Sequence, residues 1–142
     1  MSRSIRLVLS SNSLGSAFVA QTQIMDTEQF SYEEFYGVQP TQNKEMRLRY
    51  GQSLMTHAMV LVGADQPDAS SHPTKWRVEN SWGGGDDNGD AGFAMLTDAW
   101  FDEYMYQVVV EKKRIEQDGK IKEALKGEVT VLPAWDPMGA LA

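Results

Sequence analysis

Two neighbouring segments constrain this chain more than anything else in it. His57 to Ala64 (HAMVLVGA) is a nearly continuous apolar run with a β-branched centre and the length of a buried strand. Lys75 to Asn80 (KWRVEN) alternates, so that Trp76, Val78 and Asn80 share one face and Lys75, Arg77 and Glu79 the other. Between them Asp65 to Thr74 (DQPDASSHPT) is turn chemistry, with two prolines, two serines and two aspartates. The pattern predicts an antiparallel hairpin. A register that pairs His57 with Asn80 also pairs Val62 with Lys75, and directly opposite residues have Cβ atoms about 5 Å apart.

The remaining pattern is one of short elements. Met25 to Val38 is aromatic and acidic and reads as loop with a short strand. Thr41 to Tyr50 reads as a short helix with Thr41 as N-cap and Gly51 as its stop. Gly83 to Gly92 is a glycine- and aspartate-rich loop, and Phe93, Met95 and Leu96 suggest a strand. Thr97 caps a helix through Tyr104, with Trp100, Phe101 and Tyr104 on its apolar side. Met105 to Glu111 reads as a strand, Lys112 to Lys126 as a charged helix weakened at Gly119, and Val129 to Leu132 as a last strand. Strands joined mostly by loops argue for an α+β arrangement with an antiparallel sheet and short flanking helices.

The first 24 residues stand apart. They hold six serines, Arg3 and Arg6, and no acid precedes Asp26. That composition suits a transit peptide, or a tail that does not fold; a secretory signal fits less well, because Ser10, Asn12 and Ser13 interrupt the apolar stretch. The expected domain therefore runs over 25–142, with 1–24 as a divergent, disordered tail.

Composition narrows the chemistry. With 142 residues there is room for one domain, and no apolar run approaches the ~20 residues of a membrane helix. The net charge of -7 makes a nucleic-acid partner a poor fit, since a phosphate backbone needs a basic face. There is no cysteine, hence no disulfide, no thiolate metal site and no thiol nucleophile. His57 and His72 are the two histidines.

On the predicted hairpin, the Asn80 amide oxygen can accept from an imidazole N–H of His57. That bond would fix the ring and leave its other nitrogen as a general base. Trp82, two residues on, can cover the pair from water. A lone histidine at the start of a strand is also commonly structural, and an asparagine before Ser-Trp-Gly is commonly a turn former. Spacing leaves both readings open.

The segments SLMTHAMVLVGA (Ser53–Ala64), KWRVENSWG (Lys75–Gly83) and VLPAWDPMGALA (Val131–Ala142) resemble the C-terminal part of the bleomycin hydrolases. These are the aminopeptidase C type of papain-like cysteine peptidase. MDTEQFSYEEFYGV and TDAWFDEYMYQVVVEKK are similar as well, so the resemblance covers about Met25 to Ala142. It implies the C-terminal half of a papain-like fold, with His57 as the histidine that moves the proton of a cysteine thiol, Asn80 as its orienting partner and Trp82 as its shield. The nucleophilic cysteine and the oxyanion-hole glutamine lie upstream in the family. This chain has no cysteine, and Gln21 and Gln23 sit in the divergent tail.

The resemblance further implies thiol-dependent hydrolysis of peptides with a free N-terminus, a homo-hexamer with inward-facing sites, a cytoplasmic location and no cofactor. The chain alone is expected to be inactive until a Cys-bearing lobe is supplied; the competing reading is a truncated pseudoenzyme or non-catalytic interaction module. Pro133 to Pro137 restricts the backbone, so the tail is expected to form an arm anchored by Trp135, whose terminal carboxylate on Ala142 pairs with the substrate amino group.

No metal site is expected. Asp86, Asn88 and Asp90 have the spacing of a calcium loop, but Ala91 and Thr97 stand where glycine and glutamate are needed.

Overall fold

The computed structural model describes residues 5–10, 17–19, 23–39, 41–68, 70–85, 90–115, 122–123 and 125–136. In chain order the strands are β1 (Ile5–Ser10), β2 (Ala17–Val19), β3 (Ile24–Asp26), β4 (Met55–Asp65), β5 (Lys75–Glu79), β6 (Phe93–Thr97) and β7 (Met105–Val109). The helices are α1 (Tyr32–Tyr36), α2 (Lys44–Arg49), α3 (Asp98–Tyr104) and α4 (Lys112–Ile115). All seven strands join one sheet in the order β2-β3-β6-β5-β4-β1-β7. Every neighbouring pair is antiparallel except β3 and β6, which run parallel. The α+β arrangement expected from the sequence is thus present, with one parallel pair added.

The β4–β5 hairpin forms, but in a different register. Val60 faces Glu79 and Leu61 faces Val78; a bulge at Val62 then shifts the ladder, so that Asp65, not Val62, faces Lys75. One extra residue in a strand is invisible to an alternation pattern. The turn itself is held by Asp68, whose carboxylate accepts from the Ser70 hydroxyl and the Ser70 and Ser71 amides. Those donors, the Ser70 hydroxyl first, hold its carboxyl down at about 2.

The alternation of β5 sorts as read: Val78 and Asn80 are buried, while Lys75, Arg77 and Glu79 are exposed. β4 buries only one face, through Met55 and Met59; Ala58 and Val62 on the other are exposed. The core gathers Met25, Met59, Val78, Ala94, Leu96, Trp100, Tyr104 and Met105. Thr97 caps α3 as expected, its hydroxyl accepting from the Trp100 amide over 3.3 Å. For α2 the cap is Asn43 rather than Thr41; its amide oxygen accepts from the Met46 N–H. Asn is as good a cap as Thr or better, and here it stands two residues further along, directly before Lys44. Gly51 follows with a φ of 67°, the left-handed stop the sequence asked for.

α2 is latched to the end of α3. Lys44 and Arg47 donate to the backbone carbonyls of Asp102 and Glu103, which a helix end leaves without intrahelical partners. Arg47 also bridges the Glu103 carboxylate at 2.6 Å and lies over the Tyr104 ring. Burial raises the Tyr104 hydroxyl above its usual range, and Arg47 opposes part of that rise. A raised value in the fold means stability that is whole below the ordinary tyrosine range, about pH 10, and is lost as pH climbs through the folded value. The thermal midpoint should therefore fall at alkaline pH, and fall less in Tyr104→Phe; equal falls in both proteins would remove Tyr104 from this account.

Three expectations are corrected. Residues 1–24 are not a tail outside the domain: β1 and β2 come from them, and β1 lies between β4 and β7. Val129 to Leu132 forms no strand; Val129 and Val131 are more than four-fifths exposed, and strand propensity without a partner does not make a strand. Trp135 is 84% exposed and so anchors nothing among the described residues. Ala142, the expected substrate anchor, lies outside the described residues, as do Asp86 and Asn88 of the calcium-like spacing. Asp90 of that spacing is engaged by Arg77 at 2.6 Å.

Candidate active site

His57 is the third residue of β4, and Asn80 follows the last residue of β5. Their positions are not directly opposite, because continuing the observed register from Val60–Glu79 sets Asn80 beside Met59. The two side chains meet on the diagonal, which long polar side chains can span. His57 Nε2 and Asn80 Oδ1 are 2.9 Å apart. The pairing expected from the sequence thus holds, although the register that suggested it does not.

Neighbouring bonds fix the direction of this contact. The Ser81 backbone N–H, which can only donate, lies 2.8 Å from the Asn80 oxygen. On the other side Asn80 Nδ2 donates to Gln23 Oε1 over 3.1 Å. The oxygen of Asn80 therefore faces the ring, and Nε2 must carry the proton. Nδ1 of the neutral ring is left with a lone pair, the requirement for a general base.

The backbone here is held as firmly as the side chains. The Asn80 amide donates to Gly92 O over 2.9 Å. Gly92 has a φ of 91°, and a Cβ at that position would stand 2.9 Å from Gly83 O. Glycine is thus required where the segment after Trp82 closes against the segment before β6.

Trp82 lies beside the imidazole, with ring centroids 5.4 Å apart and an interplanar angle of 32°. Asn80 is 7% exposed and Trp82 51% exposed. The indole therefore covers one side of a pair whose asparagine is already withdrawn from water. Ser53 is buried and bonded to the Tyr106 hydroxyl at 2.8 Å, and the Ser81 amide serves Asn80.

Gln23 is the residue that sequence reasoning missed. It is fully buried and bonded to Asn80, but nothing in QTQIMD marks it apart from Gln21.

A mixed sheet with a His–Asn contact at the start of one strand and the end of the next, covered by a following tryptophan, sits in an α+β fold of the papain-like peptidase class. The chain belongs to the Peptidase C1-like family, whose model matches residues 6–139. It is 47% identical to the bleomycin hydrolase of Gallus gallus over 127 residues, which is 88% of this chain and 27% of that protein. It is 44% identical to the aminopeptidase C of Lactococcus lactis subsp. cremoris over 119 residues, 84% of this chain and 26% of that one. PepW from Lactobacillus rhamnosis HN001 superimposes with a TM-score of 0.81 at 40% identity, covering 98% of this chain and 30% of PepW. The chain thus spans between a quarter and a third of the length of these relatives. The family match begins well before Met25, where the resemblance had been expected to start.

Proposed function

We propose that this chain carries the histidine–asparagine half of a cysteine-aminopeptidase site. In this reading His57 Nδ1 takes the proton of a cysteine thiol, giving a thiolate and an imidazolium. The thiolate adds to the scissile carbonyl; the imidazolium returns its proton to the departing amine, and an acyl-enzyme remains. Water, deprotonated by the same nitrogen, then releases the acid and regenerates the thiol. Asn80 holds the ring so that Nδ1, not Nε2, faces the reacting atoms, and Trp82 keeps water from their hydrogen bond. The observation that carries this reading is the 2.9 Å contact of Nε2 with an asparagine oxygen whose direction the Ser81 amide fixes.

The sequence contains no cysteine, so the thiol has to come from a Cys-bearing segment outside these 142 residues. The chain alone should neither turn over substrate nor react with thiol-directed inhibitors. The substrates are peptides with a free N-terminus, and the Ala142 carboxylate is the group that would pair with the substrate ammonium. A cytoplasmic homo-hexamer belongs to the same reading. No helix among the described residues is long and apolar enough to cross a membrane.

The experiment is a chimera in which this chain replaces the matching segment of the Lactococcus lactis aminopeptidase C. Turnover of aminoacyl fluorogenic substrates by the chimera, with none by the chain alone, is the expected result. A folded, Cys-containing chimera without turnover would favour a non-catalytic interaction module instead.

A further inference from the structure

Gln23 occupies an expensive position. It is fully buried, and its φ of 49° lies in the left-handed region, where non-glycine residues are uncommon. A buried amide is unfavourable unless both its ends are bonded. Here Oε1 is bonded to Asn80 Nδ2, but Nε2 has no hydrogen-bond partner among the described residues. An apolar side chain of similar size would fill the same space without that orphan donor. The backbone of Gln23 is pinned as well, its carbonyl accepting from the Met95 N–H over 3.0 Å just ahead of the β3–β6 ladder.

What the glutamine supplies is a second lock on Asn80. An asparagine amide can turn over, exchanging oxygen and nitrogen. Turned over, Asn80 would offer Nδ2–H to His57 Nε2, which would then have to be the unprotonated nitrogen, with the proton moved to Nδ1. The base would be lost at the position that needs it. The Ser81 amide favours the working orientation from one side, and Gln23 Oε1 favours it from the other. Bonds in such a chain also strengthen one another: a well-paired Nδ2–H makes Oδ1 a better acceptor for the imidazole N–H.

We propose that Gln23 is a positioning residue for His57, acting through Asn80. The inference rests on the reading of His57 and Asn80 given above. It does not make Gln23 an oxyanion-hole residue, since a fully buried amide cannot touch substrate.

The test uses the 15N-labelled chain in Gln23→Gly and Gln23→Met forms. Glycine accepts the left-handed backbone, and methionine keeps the volume without the amide. The signal read is the exchange of the His57 Nε2–H with water. His72, exposed in the β4–β5 connection, is the internal reference. Exchange should be about two- to tenfold faster than in the parent in both variants, the protection expected from a net stabilisation near that of one hydrogen bond. The backbone amides of β5 and β6 should stay protected. An unchanged Nε2–H rate, or loss of the whole fold in both variants, would overturn the proposal. Asn80→Ala separates the two levels: if it speeds exchange while the Gln23 variants do not, only the role of Gln23 fails. If it too leaves the rate unchanged, the His57–Asn80 reading fails with it.

Discussion

Replacing His57 with alanine in the chimera should lower kcat/KM for aminoacyl substrates by about 10³–10⁴-fold, the upper part of what a positioned acid–base group contributes. The size follows from the number of steps the ring serves. It takes the thiol proton, returns it to the leaving amine, and acts again in deacylation. Asn80→Ala should cost less, about 10–10²-fold, because the imidazole remains and only its orientation is released. Both losses should appear mainly in kcat, since neither side chain is placed to bind the substrate's remote groups. Kinetics on the purified chimera decide the matter. A His57→Ala form within tenfold of the parent would mean that another group moves the proton.

Trp100→Ala should cost about 3–5 kcal/mol, as buried aromatic truncations do. Domains of this size have about 5–15 kcal/mol in all, so the loss takes a large share of the total and should lower the urea midpoint sharply. Trp100 is 2% exposed and stands at the centre of the core, on the helix that packs across β3, β5, β6 and β7. Trp100→Phe is the informative companion. The indole Nε1 has no partner among the described residues, so phenylalanine removes an unpaired buried donor while keeping most of the ring. The space left by the lost ring offsets part of that gain, so it should cost about 1–2 kcal/mol, well short of the alanine variant. Urea unfolding measures both. A loss below about 1 kcal/mol for the alanine variant would contradict the placement of α3 in the core.

What the sequence could say about this fold depended on how local the cause was. The face shared by Trp76, Val78 and Asn80 needed only period-two alternation. The cap at Thr97 needed only a hydroxyl before an amphipathic run, and the stop at Gly51 only a residue that accepts a positive φ. The register of β4 on β5 was different, because a single bulged residue, Val62, carries no mark of its own. Nor did Ile5 to Ser10 announce itself: it lies in a serine-rich, acid-free stretch with the composition of a leader, while its place between β4 and β7 depends on partners about 50 and 100 residues away. Val129 to Leu132 is the converse, a strand-like run that no strand among the described residues meets. In the site, the two-strand pattern set His57 and Asn80 near each other, and the motifs around them, with Trp82, carried the family resemblance. Gln23 could not, because its meaning lies in one bond to a side chain 57 residues on.

The central claim is that His57 is placed to pair with a thiol. The rate of alkylation of the supplied cysteine in the chimera measures that directly. A free thiol is nearly all protonated and unreactive at pH 6, whereas a cysteine beside an imidazolium is held as thiolate there. With iodoacetamide at pH 6, the chimera carrying His57 should be alkylated at least about tenfold faster than its His57→Ala form, the cysteine otherwise titrating near its ordinary value. Equal rates in the two proteins would mean that His57 does not meet the thiol, and the reading of this site as half of a cysteine peptidase would be wrong.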